Sequence, residues 1–128
     1  MIGHIIDALK ATELYNNTWI IFTSDNGAPN SPGTIGRNFP LRGHKASLWE
    51  GGIRVPAFVH SALLPADRKG TRSNELYHVT DLLPTILDLA GISEKPPQSL
   101  DGFSVLESLL TGGMFVRWRF KNSMRLAC

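Results

Sequence analysis

The sequence predicts an α/β fold with a mostly parallel sheet flanked by helices. Two observations support this fold class: an amphipathic helical pattern over residues 1–14 and a run of β-forming residues directly after it. A strand that is apolar along its whole length suits a sheet covered on both faces, as parallel sheets usually are. A helix followed by such a strand is half of a βαβ unit.

The first helix is predicted from apolar residues spaced at i, i+3, i+4 and i+7, namely Ile2, Ile5, Ile6 and Leu9. No capping residue precedes this pattern, which favours a sequence that has lost its beginning. The pair Asn16-Asn17 interrupts the pattern, and the strand is predicted over residues 18–23.

A loop is predicted over residues 25–52, which contain six Gly, three Pro and three Asn. A loop of this length within a compact domain is usually functional or disordered. A second strand is predicted from Ile53 to His60, and Pro56 favours a position at a sheet edge or at the start of the strand.

Two further helices are predicted in the second half of the chain. Thr80 or Asp81 is a candidate cap for a helix that runs to about Ala90 and stops at the following glycine. Ser104 and Glu107 fit the capping box of a shorter helix, which a pair of glycines ends.

The last fifteen residues differ in composition from the rest of the chain. Residues 114–128 hold four of the thirteen Lys/Arg and none of the eleven Asp/Glu, and they alternate basic with aromatic or apolar side chains. The basic charge therefore belongs to this tail, and we do not interpret it as a nucleic-acid-binding surface. We predict one domain over residues 1–113 and a divergent tail over 114–128.

Composition excludes several classes of protein. No apolar run reaches the roughly 18 residues of a membrane-spanning helix, and the N-terminus lacks the pattern of a secretory signal. The single cysteine, Cys128, excludes an internal disulfide and a cysteine-based zinc site. The sequence leaves the oligomeric state open.

A candidate metal site follows the first strand, at Asp25, Asn26 and Gly27. Ligands of open α/β sheets bind beyond the carboxyl ends of the strands. Carboxylate and amide oxygens suit Ca²⁺ or Mg²⁺, and glycine permits a sharp turn. Taken alone, these three residues fit an ordinary turn better than a metal site, because such turn sequences are common.

A second candidate segment carries the cationic residues Arg42, His44 and Lys45, with Arg54 a little further along. Cations close to a metal suit an anionic substrate whose charge shifts during reaction. The alternative is a solvated basic loop. We expect Trp49 to fill the core and Glu50 to hold loop N–H groups.

The order and spacing of several motifs resemble a known family. The motifs are Asn17-Thr18, Phe22-Thr23-Ser24-Asp25-Asn26-Gly27, Pro40-Leu41-Arg42-Gly43-His44-Lys45, Leu48-Trp49-Glu50-Gly51-Gly52, His78-Val79-Thr80-Asp81-Leu82-Leu83-Pro84-Thr85 and Leu100-Asp101-Gly102. Together they resemble the sulfatases, most closely the arylsulfatase B group, which includes N-acetylgalactosamine-4-sulfatase and arylsulfatases I and J. The resemblance covers about residues 1–113.

The resemblance implies an alkaline-phosphatase-like fold and a sulfuric ester hydrolase that needs Ca²⁺. By position in the family motifs, Asp25 and Asn26 ligate the Ca²⁺, and Lys45 binds the substrate sulfate as a catalytic residue. The implied substrate is a sulfated small molecule or a glycosaminoglycan. We assign no catalytic role to Arg42, His44 or Arg54, which we expect to shape the loop.

The sequence also departs from the family. Sulfatases use a formylglycine made from the Cys of a Cys-x-Pro-Ser-Arg motif, which this sequence lacks, and Cys128 has no such context. The chain therefore resembles a fragment of the catalytic domain, expected to be inactive alone. Alternatives are a phosphatase or phosphodiesterase of the same superfamily, or a truncated non-catalytic paralogue. Asn16 begins an N-glycosylation sequon, relevant if the full-length protein is lysosomal or secreted, as the family implies.

Overall fold

The structure, a computed structural model, describes residues 1–92 and 99–113, and the chain divides into two compact units, Met1–Leu63 and Leu64–Cys128. The first unit contains helix α1 (Ile2–Ala11), strand β1 (Trp19–Thr23), the short helix α2 (Glu50–Ile53) and strand β2 (Ala57–Ser61). The second unit contains helices α3 (Leu82–Leu89) and α4 (Leu106–Thr111). Short 3-10 turns cover Tyr15–Asn17, Ala66–Arg68 and Val79–Asp81.

The two strands pair antiparallel, so the parallel arrangement expected from the sequence is not found between them. Phe22 lies opposite Phe58 in this register, and their rings stack with centroids 5.2 Å apart. An apolar run carries no information about the direction of its partner strand. The direction is set here by the segment between the strands, which turns back and returns the chain alongside β1.

Strand β1 is also less buried than its composition predicts. Its residues range from half-buried to exposed, and Phe22 keeps 42% of its surface accessible. Within the described residues β2 is the single strand paired with β1, and no side chain of α1 is buried. The apolar run is therefore covered only in part by this portion of the chain.

The second strand begins later than the sequence predicts, at Ala57 instead of Ile53. Residues Glu50–Ile53 form α2, in which the N–H of Arg54 bonds to the carbonyl of Glu50 at 2.8 Å. This helix was missed because its two glycines are poor helix formers. Tertiary contacts of the glycines, described with the site below, outweigh that preference.

The far end of the strand pair is held by polar contacts. The Tyr15 hydroxyl lies 2.9 Å from Nε2 of His60. The buried Ser61 hydroxyl donates to the carbonyl of Thr18 at 2.8 Å and accepts from the N–H of Leu63 at 3.2 Å. These bonds tie the start of β1 to the end of β2.

In the second unit, Asp81 does not cap α3 with its side chain, contrary to the prediction. Its carboxylate instead accepts from the N–H of His78 at 2.8 Å and from the N–H of Phe103 at 3.1 Å. The first bond completes a capping box with the His78 side chain around the turn before α3. Asp81 is only 1% exposed, so it acts as an interior link between α3 and the segment after residue 98.

Thr85 makes a second link of the same kind from inside α3. Its hydroxyl donates to the carbonyl of Asp81 at 2.6 Å and accepts from the N–H of Val105 at 3.0 Å. Val105, at 7% exposed, is the only large apolar side chain among the described residues that is buried. The interior of this unit is therefore built as much from hydrogen-bonded polar groups as from apolar packing.

Helix α4 starts at Leu106, after a turn in which the Ser104 hydroxyl accepts from the N–H of Leu106 at 3.3 Å. The expected reciprocal bond from Glu107 is absent from the described contacts, so the capping box is only half formed. Gly112 ends the helix in the left-handed conformation, as predicted. The predicted tail, 114–128, lies outside the described residues. No helix described in this chain is long and apolar enough to cross a membrane.

Candidate active site

The metal-binding candidates lie in a tight turn at the end of β1. The N–H of Ser24 bonds to the carbonyl of Pro56 at 3.1 Å, which extends the strand pairing by one residue. The chain then leaves the sheet in a turn in which the Ser24 hydroxyl donates to the carbonyl of Asn26 at 3.1 Å. The Asn26 N–H donates to Oδ1 of Asp25 at 2.9 Å. Asp25 is exposed and Asn26 is half-buried at this rim of the sheet.

The Asn26 side chain is oriented by its neighbour. Its Nδ2 donates to the carbonyl of Gly27 at 2.9 Å. Because the nitrogen is used in this bond, Oδ1 of Asn26 is the atom available to a cation. Asp25 likewise keeps one carboxylate oxygen outside the bond to the Asn26 N–H. The turn thus offers a charged and a neutral oxygen from adjacent residues.

The turn is pressed against α2 by contacts that require glycine. The N–H of Gly27 bonds to the carbonyl of Gly52 at 2.9 Å. A Cβ on Gly27 would overlap the carbonyl oxygen of Gly51. Gly51 and Gly52 are both buried, and a Cβ on Gly51 would overlap the backbone carbonyl of Gly43. The two glycines of the Trp-Glu-Gly-Gly motif are therefore explained by backbone segments in direct contact.

The Lys45 segment is joined to the turn through Ala28. The backbone N–H of Lys45 donates to the carbonyl of Ala28 at 3.1 Å. The N–H of Gly51 donates to the carbonyl of Arg42 at 2.7 Å, which fixes the same segment to α2. The Lys45 side chain is exposed and makes no ion pair with another described residue. The fold thus brings the backbones of the two candidate segments together.

Asn38 is a site residue that the sequence did not single out. Its Oδ1 accepts from the N–H of Ala28 at 2.7 Å, and its Nδ2 donates to the carbonyl of Ala28 at 2.8 Å. Nδ2 also lies 3.2 Å from the carbonyl of Gly43. An asparagine in a Gly- and Pro-rich loop was the available signal, but it is common in ordinary turns.

Other charged residues near Lys45 make local side-chain contacts. The Arg42 guanidinium lies 3.7 Å from the centre of the Trp49 ring, and Trp49 is 52% exposed, so it does not fill the core as expected. Glu50 pairs with Arg54 at 3.1 Å, where we had expected it to hold loop N–H groups. Both partners are exposed, so the pair adds little stability.

The Asp25–Asn26 turn does not form a complete metal site within the described residues. No group of three or more His, Cys, Asp or Glu side chains is close enough to hold a metal in residues 1–92 and 99–113. Calcium takes about six to eight oxygen ligands. The turn is therefore one part of any calcium site to which it contributes.

Comparisons with known proteins agree in pointing to one family. Residues 1–92 match the sequence profile of the family described as Sulfatase. The chain is 45% identical to mouse arylsulfatase J over 111 residues, covering 87% of this chain and 18% of that protein. It is 36% identical to human N-acetylgalactosamine-6-sulfatase over 119 residues, covering 91% and 22%. The chain thus spans about a fifth of the length of these relatives.

A solved structure shares the arrangement as well as the sequence. The crystal structure of Ps i-CgsB in complex with k-i-k-neocarrahexaose matches with a TM-score of 0.77 at 38% identity. The match covers 88% of this chain and 24% of that one.

Proposed function

Because this chain belongs to the sulfatase family, we propose that Asp25, Asn26 and Lys45 are part of the active site of a calcium-dependent sulfuric ester hydrolase. In this proposal residues 1–113 are one portion of its catalytic domain, in the alkaline-phosphatase-like fold of the family. The single observation that carries the proposal is the bond from the Lys45 N–H to the carbonyl of Ala28. It attaches the sulfate-binding candidate to the turn that carries the metal-binding candidates.

The donor set of the turn fits calcium. Asp25 supplies a carboxylate oxygen, and Asn26 supplies Oδ1 because its nitrogen is held by the carbonyl of Gly27. Hard oxygen donors of this kind are what Ca²⁺ prefers. The chemistry that calcium supplies when bound is polarisation of a sulfate oxygen and orientation of the ester. The short bonds within the turn hold both donor oxygens before any ion arrives.

Lys45 has the properties expected of the group that receives the sulfate. Its ammonium is exposed, it is not neutralised by a described acid, and its backbone is fixed at Ala28. An ammonium held near the ester oxygen stabilises the negative charge that grows there as the S–O bond breaks. Arg42 stacks on Trp49, and this contact helps to hold the conformation of the segment that carries Lys45.

We propose sulfated carbohydrates as the substrate class. Support comes from two similar proteins: one is named N-acetylgalactosamine-6-sulfatase, and Ps i-CgsB was solved in complex with k-i-k-neocarrahexaose. Glycosaminoglycans are one such class. The same matches favour a sulfatase over a phosphatase or phosphodiesterase of the same superfamily. In keeping with its relatives, we propose a lysosomal or secreted location, with a glycan on the exposed Asn16.

The proposal is tested by a segment exchange. Residues 1–92 of this chain replace the matching segment of a sulfatase that hydrolyses 4-nitrophenyl sulfate, giving what we term the exchange enzyme. We expect it to hydrolyse the ester in a Ca²⁺-dependent manner. A folded exchange enzyme that is inactive would overturn the proposal. The 128-residue chain alone should show no turnover, because it lacks the Cys-x-Pro-Ser-Arg motif.

A further inference from the structure

We propose that Asn38 is a positioning residue that holds Lys45 in register with the Asp25–Asn26 turn, an inference that rests on the proposed function. Asn38 is ten residues from Ala28 in sequence, yet its carboxamide meets both backbone groups of that residue. Ala28 directly follows the metal-binding turn, and its carbonyl is also the acceptor for the Lys45 N–H. Asn38 therefore acts at the junction between the two halves of the site.

The Asn38 carboxamide uses three of its hydrogen-bonding positions at once. Oδ1 accepts from the Ala28 N–H at 2.7 Å, and Nδ2 donates to the Ala28 carbonyl at 2.8 Å. The second hydrogen of Nδ2 serves the carbonyl of Gly43 at 3.2 Å. The first two bonds satisfy both the N–H and the carbonyl of Ala28, as a neighbouring strand would in a β-sheet. The third bond reaches the segment that carries Lys45.

The remaining links across this junction are few. Lys45 is attached to Ala28 by one backbone bond, and the segment after Gly43 turns sharply, with the Ser47 N–H bonded to the carbonyl of His44 at 2.9 Å. Loss of Asn38 would leave the Ala28 N–H and the Gly43 carbonyl without their side-chain partner. The position of the Lys45 ammonium relative to Asn26 would then depend on that one direct bond and on the indirect path through α2, where Gly27 bonds to Gly52 and Gly51 bonds to Arg42.

This role requires an amide at position 38, since a side chain of the same size without both a donor and an acceptor cannot make these bonds. Aspartate has nearly the same shape as asparagine, but when ionised it accepts only, and it would face the carbonyls of Ala28 and Gly43 with negative charge. Protonation of that carboxyl restores one donor next to its acceptor. The Asn38→Asp variant should therefore fail at neutral pH and recover in part at acidic pH. A residue that merely fills space would show neither effect.

The first experiment measures amide hydrogen exchange at Lys45 and Ala28 in the full 128-residue chain. We expect Asn38→Ala and Asn38→Asp to accelerate exchange of both amides by about tenfold or more at neutral pH, since each loses several hydrogen bonds at the junction. After correction for the intrinsic pH dependence of exchange, Asn38→Asp should regain protection under acidic conditions and Asn38→Ala should not. Asn30→Ala, an exposed position in the same loop, is the matched control.

The second experiment uses the exchange enzyme and the same three variants. We expect Asn38→Ala to lower kcat for 4-nitrophenyl sulfate by about tenfold to a hundredfold, since a displaced catalytic group loses rate steeply. KM should change less, and Asn30→Ala should leave both unchanged. Unaltered protection at Lys45, or an Asn38→Asp variant identical to the parent at neutral pH, overturns the role of Asn38. An inactive but folded parent exchange enzyme with normal protection instead overturns the proposed function.

Discussion

The backbone N–H of Lys45 donates a hydrogen bond to the carbonyl oxygen of Ala28 at 3.1 Å. Ala28 is the second residue after Asn26, so this bond places a cationic residue beside a turn that offers two oxygen donors. The two segments are separated by a loop without helix or strand. In the proposed function, this contact holds the backbone of the sulfate-binding candidate close to the metal-binding candidates.

Removing the Lys45 ammonium should impair the reaction more than it impairs folding. We expect Lys45→Ala to lower kcat/KM of the exchange enzyme by about 10²- to 10³-fold, the usual effect of losing one group that stabilises developing charge. The thermal midpoint should not change, because the side chain is exposed. Arg37→Ala, which removes an exposed cation from the same loop, is the control. An equal loss of activity in both variants would contradict a specific role for Lys45.

Neutralising Asp25 should weaken calcium binding while preserving the turn. We expect Asp25→Asn to raise the Ca²⁺ concentration needed for half-maximal activity of the exchange enzyme by about tenfold or more, because a charged ligand becomes neutral. The amide oxygen can still accept from the Asn26 N–H. The measurement is a Ca²⁺ titration of hydrolysis, with Asp7→Asn on the exposed face of α1 as the control. Unchanged calcium dependence would remove Asp25 from the ligand set.

Two glycine substitutions should have opposite effects on stability. Gly27→Ala adds a Cβ that overlaps the Gly51 carbonyl, and we expect it to destabilise the chain by about 1–3 kcal/mol. Gly3 lies in α1, and a Cβ added there would meet no other atom. Gly3→Ala should stabilise the chain by about 0.5–1 kcal/mol, because alanine has a higher helix propensity than glycine. Urea unfolding of the chain measures both. Equal effects at the two positions would show that the contact between the turn and α2 is not tight.

Two threonines make equivalent hydrogen bonds, but only one of them is buried. Substituting them should therefore change the stability of the chain by different amounts. Thr85 donates to the carbonyl four residues earlier and accepts from the Val105 N–H, and it is 2% exposed. Thr111 donates to the carbonyl of Glu107 and accepts from the Gly113 N–H, but it is exposed.

We expect Thr85→Val to cost about 1–3 kcal/mol of unfolding free energy, because the Val105 N–H loses its partner away from water. Thr111→Val should cost less than about 0.5 kcal/mol, since water replaces the hydroxyl. Denaturant unfolding of each variant provides the comparison. Similar losses at both positions would mean that the segment around Val105 opens readily to solvent.

Much of the candidate site could be predicted from sequence because its chemistry lies in short motifs. The strand ending before Ser24 was expected from β-forming residues, and the structure has β1 at Trp19–Thr23. The roles given to Asp25, Asn26 and Lys45 stay predictions. The structure adds that a backbone hydrogen bond from Lys45 to Ala28 joins the two segments that carry these residues.

Other features could not be predicted, for identifiable physical reasons. The antiparallel direction of β2 depends on how the loop returns, which an apolar run does not encode. Asn38 bonds to backbone groups of Ala28 and Gly43, and every residue carries such groups, so no partner side chain marks the contact. Trp49 stacks against Arg42 and stays half exposed, and this tertiary contact is not encoded in the local sequence.

The absence of space at Gly27 has a genetic consequence. Every amino-acid change reachable from a glycine codon adds at least a Cβ, and that atom already meets the Gly51 carbonyl. Every missense change at this codon should therefore destabilise the protein, alanine the least and larger residues more. A population carrying this gene would be expected to show silent changes at the codon and few others.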